Sequence, residues 1–272
     1  MSQLVDPRSW DVVHDATLNG CFETMRAYGG RIFRLGGHLD RLYASCQYLG
    51  LRPPSDRRRL AQQLRHALAS SHLTEAVVRI ALMPRGGGAP AMPSIVVQQA
   101  QRPPIAAYRR GIRLAIVPTR KLSVGAADPQ AKSSARLGSV LAVLDAKLRG
   151  ADEALWLDAM GYVTESTASN FGIVREGAII TPPCHLGLLA GITRDVLFEI
   201  TRGLRILVRE SPLTRHDVYN ADEAFLLSTL KEIMPVASVD GRLIGNGRPG
   251  PLTKKLLRTF RQLVRKELHG RH

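Results

Sequence analysis

Apolar positions along this chain recur with two different periods, and the changes of period divide it into elements. Cys21 to Ala27 reads as a strand, Gly29-Gly30 as a turn, and Ile32 to Leu35 as a second short strand. From His38 the spacing becomes helical, through Leu39, Leu42, Tyr43, Cys46 and Leu49, until Gly50 ends it. Pro53-Pro54 interrupts the chain. Asp56 then opens a second helix carrying Leu60, Leu64 and Leu68. Ala76 to Met83 and Ser94 to Gln99 read as strands flanking a loop, Pro84 to Pro93, whose three consecutive glycines predict mobility.

Ile112 to Val117 predicts another strand. Lys121 to Gln130 has no period and reads as an inter-domain linker. Leu137, Val140, Leu141, Leu144 and Leu148 then mark a helix. Hairpins follow over Glu153–Asp158 with Gly161–Thr164, and over Phe171–Val174 with Ala178–Thr181. A helix starts at Ile192, and strands are predicted at Leu204–Arg209, Ala224–Ser228 and Val236–Val239. From Lys254 onward Leu256, Leu257, Phe260, Leu263 and Val264 form an amphipathic helix with a basic outer face. Runs of strands with interspersed helices predict an α+β fold rather than a strict βαβ alternation. The division expected is a small N-terminal α/β domain over 1–120, a linker over 121–130, and a larger strand-rich domain over 131–272.

At 272 residues with 44% hydrophobic content, the chain is long and apolar enough to bury a sizeable core. Its longest apolar runs are too short to cross a bilayer, and its first eleven residues lack the apolar core of an export signal. The three cysteines, Cys21, Cys46 and Cys184, are far apart in sequence with no Cys-x-x-Cys, which suits reduced thiols in the cytoplasm and predicts no metal site. The net charge of +15 attracts anions, but no nucleic-acid motif accompanies it. A charged surface and anionic small-molecule substrates account for it without a nucleic-acid partner.

Three short motifs carry chemistry. Lys132 lies in Gln130-Ala131-Lys132-Ser133-Ser134-Ala135-Arg136-Leu137, just ahead of a helix; Glu165 lies in Val163-Thr164-Glu165-Ser166; and Gly191-Ile192-Thr193 opens a helix. An amine, an isolated acid and a glycine-led helix start are what pyridoxal phosphate requires. The amine forms an imine, a carboxylate keeps the pyridine nitrogen protonated, and backbone N–H groups hold the phosphate.

Seven segments in order sharpen this: Gly20-Cys21-Phe22-Glu23-Thr24-Met25-Arg26; His38-Leu39-Asp40-Arg41-Leu42-Tyr43-Ala44-Ser45; Lys132 with Arg136-Leu137; Val163 to Asn170; Leu189 to Arg194; Ala221-Asp222-Glu223; and Ser228-Thr229 with Pro235-Val236. Together they resemble the fold-type IV, or class IV aminotransferase, family of pyridoxal phosphate enzymes, over about Gly20 to Thr253. The group includes branched-chain and D-amino acid aminotransferases and aminodeoxychorismate lyases. The resemblance implies a two-domain α+β fold, an active site at the domain junction, and a homodimer. It implies Lys132 as the Schiff-base lysine and proton carrier, and Glu165 as the partner of the pyridine nitrogen. Arg41, Ile192, Thr193 and Thr229 become phosphate ligands, and Leu189 the apolar contact of the ring.

The substrate side departs from the family pattern. Leu18-Asn19-Gly20 stands where relatives carry Gly-Asp-Gly, Thr17 where branched-chain enzymes carry tyrosine, and Ala135 where asparagine is frequent. Thr24 replaces the glycine that follows the glutamate in branched-chain enzymes, which argues against that subgroup. The Pro84-Arg85-Gly86-Gly87-Gly88 loop and Arg136 look more like the lyases. Arg26, Arg85, Arg136 and Leu230 are the candidate substrate contacts. Three readings stand: transfer of an amino group between an amino acid or amine and a 2-oxo acid; lyase release of pyruvate and 4-aminobenzoate; and a non-catalytic relative that retains the cofactor site.

Overall fold

The computed structural model of the chain describes residues 20–85, 88–121, 128–134 and 137–269. They fall into two compact units. One holds the described residues up to Gln101 together with those of Ala131–Leu137, and the other those of Arg102–Gln130 and Gly138–His272.

In the first unit β1 (Cys21–Tyr28), β2 (Arg31–Ile32), α1 (Leu35–Tyr48), α2 (Arg57–Ser70), β3 (Ala76–Met83) and β4 (Met92–Gln99) follow one another. The four strands form an antiparallel sheet in the order β2-β1-β3-β4, with Cys21 opposite Leu82 and Ala27 opposite Ala76. Leu39 and Leu42 of α1 and Leu60, Leu64 and Leu68 of α2 bury against Met25, Val78, Ile80 and Leu82 of the sheet. Spacings of three and four put these leucines on one helix face, as the sequence pattern requires. The Asp56 carboxylate accepts the Arg59 N–H at 2.9 Å and so caps α2. The expected strand to Leu35 is corrected. Strand β2 ends at Ile32, Arg34 turns at a positive φ of 52°, and α1 starts at Leu35. Gly36-Gly37 occupies the first helical turn, where glycine's poor helix propensity masks the helix in the sequence. At the start of β1 the chain around Lys132 joins the sheet: Ser133 pairs with Cys21, and the Ser134 N–H donates to the Gly20 carbonyl at 2.9 Å.

The second unit contains α3 (Ile105–Arg110), β5 (Ile112–Arg120), α4 (Leu137–Leu148) from Gly138 on, β6 (Glu153–Leu157), β7 (Val163–Ser166), β8 (Asn170–Arg175) and β9 (Ala178–Thr181). There follow α5 (Ile192–Gly203), β10 (Val208–Glu210), α6 (Arg215–Tyr219), β11 (Glu223–Ser228), β12 (Glu232–Val239), β13 (Arg242–Leu243) and α7 (Pro251–His269). The strands pair in the order β10-β9-β8-β11-β12-β5-β6-β7, with β13 on β12. Strand β7 also pairs with β8, Glu165 opposite Asn170, so β8, β11, β12, β5, β6 and β7 close into a six-strand ring. Phe171, Ile173, Leu226, Met234, Ile116 and Leu155 belong to the main buried cluster of this unit.

The expected division at 120/121 differs from the one observed. Strand β5 lies between β12 and β6 in the large sheet, which draws 102–120 into the second unit, while 131–137 join the first. The strand expected from Leu204 is likewise shortened to Val208–Glu210, because α5 runs on to Gly203 and Arg205 turns at a positive φ of 55°. The C-terminal amphipathic helix forms as its pattern predicts. Proline at its first position costs no hydrogen bond, and the buried Glu223 carboxylate accepts the N–H groups of Leu252 and Thr253 at 2.9 and 2.7 Å. Among the described residues no helix is long and apolar enough to cross a membrane.

Closure of the ring leaves little slack where β8 meets β11. Gly172 lies opposite Phe225, and a Cβ there would sit 2.8 Å from the Phe225 ring. Gly172→Ala is expected to lower stability by ~1–3 kcal/mol through overpacking. A lowered urea midpoint at unchanged m-value would show it; an unchanged midpoint would contradict it.

Candidate active site

Lys132 is held in the first unit by backbone rather than by its side chain alone. Its N–H donates to the Ser45 hydroxyl at 3.0 Å, and its carbonyl accepts the Phe22 N–H at 3.1 Å. The Ser45 hydroxyl in turn donates to the Arg41 carbonyl at 2.8 Å, so one side chain ties the Lys132 segment to a turn of α1. The Lys132 Nζ stands 4.9 Å from the centre of the half-buried Phe22 ring, a cation–π distance.

Arg41 points to the buried Glu23 of β1. Its Nε and Nη2 donate to the two carboxylate oxygens at 2.6 and 2.9 Å, a fork that fixes the guanidinium plane. His38, one turn earlier on α1, places Nδ1 2.8 Å from Glu23 Oε2. Positions 38 and 41 share a helix face, so both reach one carboxylate. Burial pushes the Glu23 carboxyl up, but the Arg41 guanidinium and the His38 hydrogen bond outweigh it and hold the group at about 2. Burial pushes the His38 imidazole down, against the raising effect of its hydrogen bond with Glu23.

In the second unit Glu165 lies on β7 at the pair that closes the ring, and it is buried. Its Oε2 accepts the Asn170 Nδ2 and the Leu189 N–H, each at 3.1 Å, and its Oε1 pairs with the Lys121 Nζ at 2.6 Å. The Lys121 ammonium also sits 4.4 Å from the centre of the Trp156 ring. Asn170 donates to the Leu189 carbonyl as well, at 2.8 Å. Two residues later Gly191 caps α5 with no side chain of its own, and a Cβ there would lie 1.9 Å from Asn170 Oδ1. Ile192 and Thr193 therefore begin a helix whose first N–H groups receive no side-chain cap, beside a cradle only glycine fits.

Thr229 and Leu230 are half-buried in the tight turn from β11 to β12. The turn is held at Lys231. Its N–H donates to Ser228 Oγ at 3.2 Å, its carbonyl accepts the Tyr108 hydroxyl at 3.1 Å, and its Nζ pairs with the buried Glu153. The other oxygen of Glu153 accepts the Ser166 hydroxyl, so the turn bearing Thr229 and the strand bearing Glu165 share one buried acid.

Among the proposed substrate contacts, Arg26 is buried, donates from Nη2 to Glu75 at 2.7 Å and lies over the Tyr28 ring. Arg85 is exposed. Arg136, Ala135, Thr17, Gly86 and Gly87 lie outside the described residues. Sequence reasoning quoted Glu23 and His38 without giving them a role, and it left Lys121 in the linker. It quoted Ser45 and Asn170 within motifs without giving them a role, and it missed Glu153 and Lys231 as site residues. The available signal was positional: a glutamate two after Cys21, a His-x-x-Arg on one helix face, and an asparagine five after the isolated acid.

A solved structure described as the branched-chain amino acid aminotransferase from Thermobaculum terrenum in PLP-form (holo-form) matches with a TM-score of 0.86 at 27% identity, covering 96% of this chain and 89% of that one. A fold of this kind, with a buried acid beside a glycine-led helix, is that of an aminotransferase. The family described as amino-transferase class IV matches residues 20–239, and this chain belongs to it. A putative branched-chain-amino-acid aminotransferase of Methanocaldococcus jannaschii is 39% identical over 254 residues, with 90% of this chain and 87% of that protein covered. The Pseudomonas aeruginosa branched-chain-amino-acid aminotransferase is 34% identical over 258 residues, covering 90% and 84%. Thr24 after the glutamate, read above as a sign against the branched-chain subgroup, stands in a chain whose named relatives are in that subgroup.

The depressed Glu23 group gives a pH test. A carboxyl held at about 2 against an ordinary 4.5 stabilises the fold fully above about pH 4.5 and loses that stabilisation as pH falls toward 2. The shift corresponds to ~3 kcal/mol. Urea unfolding followed from pH 5 to 2.5 should fall steeply for the native chain and less steeply for Glu23→Gln; equal slopes would remove the Glu23–Arg41 pair as their cause.

Proposed function

We propose that this class IV aminotransferase uses pyridoxal phosphate to move the amino group of a branched-chain amino acid to a 2-oxo acid. The observation that carries the cofactor is the buried Glu165, oriented by Asn170 and the Leu189 N–H beside the uncapped start of α5. An acid so fixed suits a protonated ring nitrogen, and the Gly191 cradle with the N–H groups of Ile192 and Thr193 suits a phosphate dianion. Arg41 and Thr229 are the further phosphate ligands in this reading, and Leu189 the contact of the ring.

Bound, the cofactor supplies an aldehyde to receive the amino group and a ring that withdraws electrons from the substrate α-carbon. The remaining work belongs to the chain. Lys132 Nζ takes the proton from the substrate α-carbon and returns it, guided by its anchored backbone. Glu165, paired with the Lys121 ammonium, would hold the ring nitrogen in its protonated form. Glu23 holds Arg41 in one orientation, so the guanidinium meets phosphate without first losing conformational freedom. Phe22 offers an apolar wall beside the Lys132 amine, in keeping with a branched aliphatic side chain. The names of the relatives support that substrate class.

The active form in this reading is a homodimer. Leu141, Leu144 and Leu148 of α4 are 51, 51 and 88% exposed on one helix face, an apolar stripe suited to a second copy. Sedimentation should find a dimer that Leu144→Lys shifts toward monomer; an unaltered dimer would place the interface elsewhere.

The direct test is a half-reaction. The purified chain with pyridoxal phosphate should show a visible band that Lys132→Ala lacks. L-leucine should convert that band while producing the 2-oxo acid, and the variant should lose on the order of 10³-fold in rate. Pyruvate release from aminodeoxychorismate without exchange on L-leucine would favour the lyase, and a bound cofactor inert to every amino donor would overturn catalysis.

A further inference from the structure

We propose that Cys21 and Cys46 form a reversible disulfide, a modification site built against the anchor of Lys132. The two sulfurs lie 3.4 Å apart, Cys21 on β1 and Cys46 on α1, and both residues are fully buried in the first unit. Each adjoins a bond that holds the Lys132 segment. Cys21 pairs in the sheet with Ser133, and Cys46 follows Ser45, whose hydroxyl accepts the Lys132 N–H. Small apolar side chains would fill the same space, so packing alone does not call for two thiols in contact here.

The two sulfurs are inequivalent. The contact between them and burial push the Cys21 thiol up, while the same contact holds Cys46 down. In this proposal Cys46 is the nucleophile and Cys21 the resolving thiol. With a peroxide as oxidant, the Cys46 thiolate attacks one oxygen, the O–O bond breaks, and hydroxide leaves a sulfenic acid on Cys46. The Cys21 sulfur then forms the S–S bond, displacing that hydroxyl, and the Cys21 proton completes a molecule of water. In sum two thiols lose two electrons and two protons, and one peroxide becomes two waters. A dithiol reductant reverses the change. Burial sets the rate, since a small neutral peroxide enters during local opening of the β1–α1 contact. A resolving sulfur at contact distance also captures the sulfenic acid before further oxidation.

A disulfide needs its sulfurs about 2.05 Å apart. Closing the gap draws α1 and β1 together at the residues beside Ser45 and Ser133, so the bond acts on the seat of Lys132. The full chain carrying Cys184→Ser, titrated with hydrogen peroxide and then alkylated without reduction, should yield a Cys21–Cys46 linked peptide two hydrogens lighter, reversed by dithiothreitol. Alkylation of both residues after a dose that oxidises Cys184 in the native chain would overturn the proposal. So would sulfinic acid on Cys46 without a linked peptide. This readout is independent of the cofactor. The consequence for Lys132 rests on the function proposed above. With pyridoxal phosphate bound, oxidation should shift the visible band and slow the L-leucine half-reaction several-fold, dithiothreitol should restore both, and Cys46→Ala in the Cys184→Ser background, which lacks the attacking thiol, should be insensitive to peroxide. A linked peptide with unchanged band and rate would overturn the coupling to Lys132.

Discussion

Strand β7 has to meet β8 for the large sheet to close, and the residue at that meeting point is a buried acid. Glu165 opposite Asn170 completes the ring of six strands. A charged carboxylate is costly to bury unless it is paired and hydrogen-bonded. Here it has the Lys121 ammonium, the Asn170 amide and the Leu189 N–H. Those donors come from the end of β5, the start of β8 and the approach to α5, so satisfying one carboxylate brings three chain segments to one place. The uncapped start of α5 and its glycine cradle follow from the same arrangement, because Asn170 Oδ1 fills the space a side chain at 191 would take.

The first unit handles a buried acid in a parallel way. Glu23 is fully buried on β1 and is neutralised by Arg41 with a hydrogen bond from His38. It fixes a guanidinium, whereas Glu165 gathers the Lys121 ammonium, the Asn170 amide and the Leu189 N–H. A third acid, Glu153, joins the Thr229 turn to β7 through Lys231 and Ser166. In each case burial supplies the energetic pressure and a basic partner converts it into fixed orientation.

Much of this was legible in the sequence. The apolar run Ala76–Met83 predicts a strand buried on both faces, and the spacing of Leu60, Leu64 and Leu68 predicts a helix that buries one. Lys132, Glu165 and Gly191 drew notice as candidates because their motifs combine rare local requirements. What stayed hidden depended on distance along the chain. Lys121 reaches Glu165 across 44 positions and Lys231 reaches Glu153 across 78, and no local pattern encodes such pairs. Arg26 likewise pairs with Glu75 across 49 positions. The boundary at 120/121 failed similarly, since a strand carries no mark of which sheet it will join.

The first unit's sheet also bears on how the protein behaves when concentrated. One edge strand, β2, has only two residues. The opposite edge, β4, carries Pro93 near its start and pairs only with β3 among the described residues. A proline cannot donate to an incoming strand, and a two-residue edge offers almost nothing to copy. The sheet that seats Lys132 is thereby guarded on both sides against edge-to-edge aggregation, which keeps a Val- and Ile-rich sheet from recruiting copies of itself into fibrils.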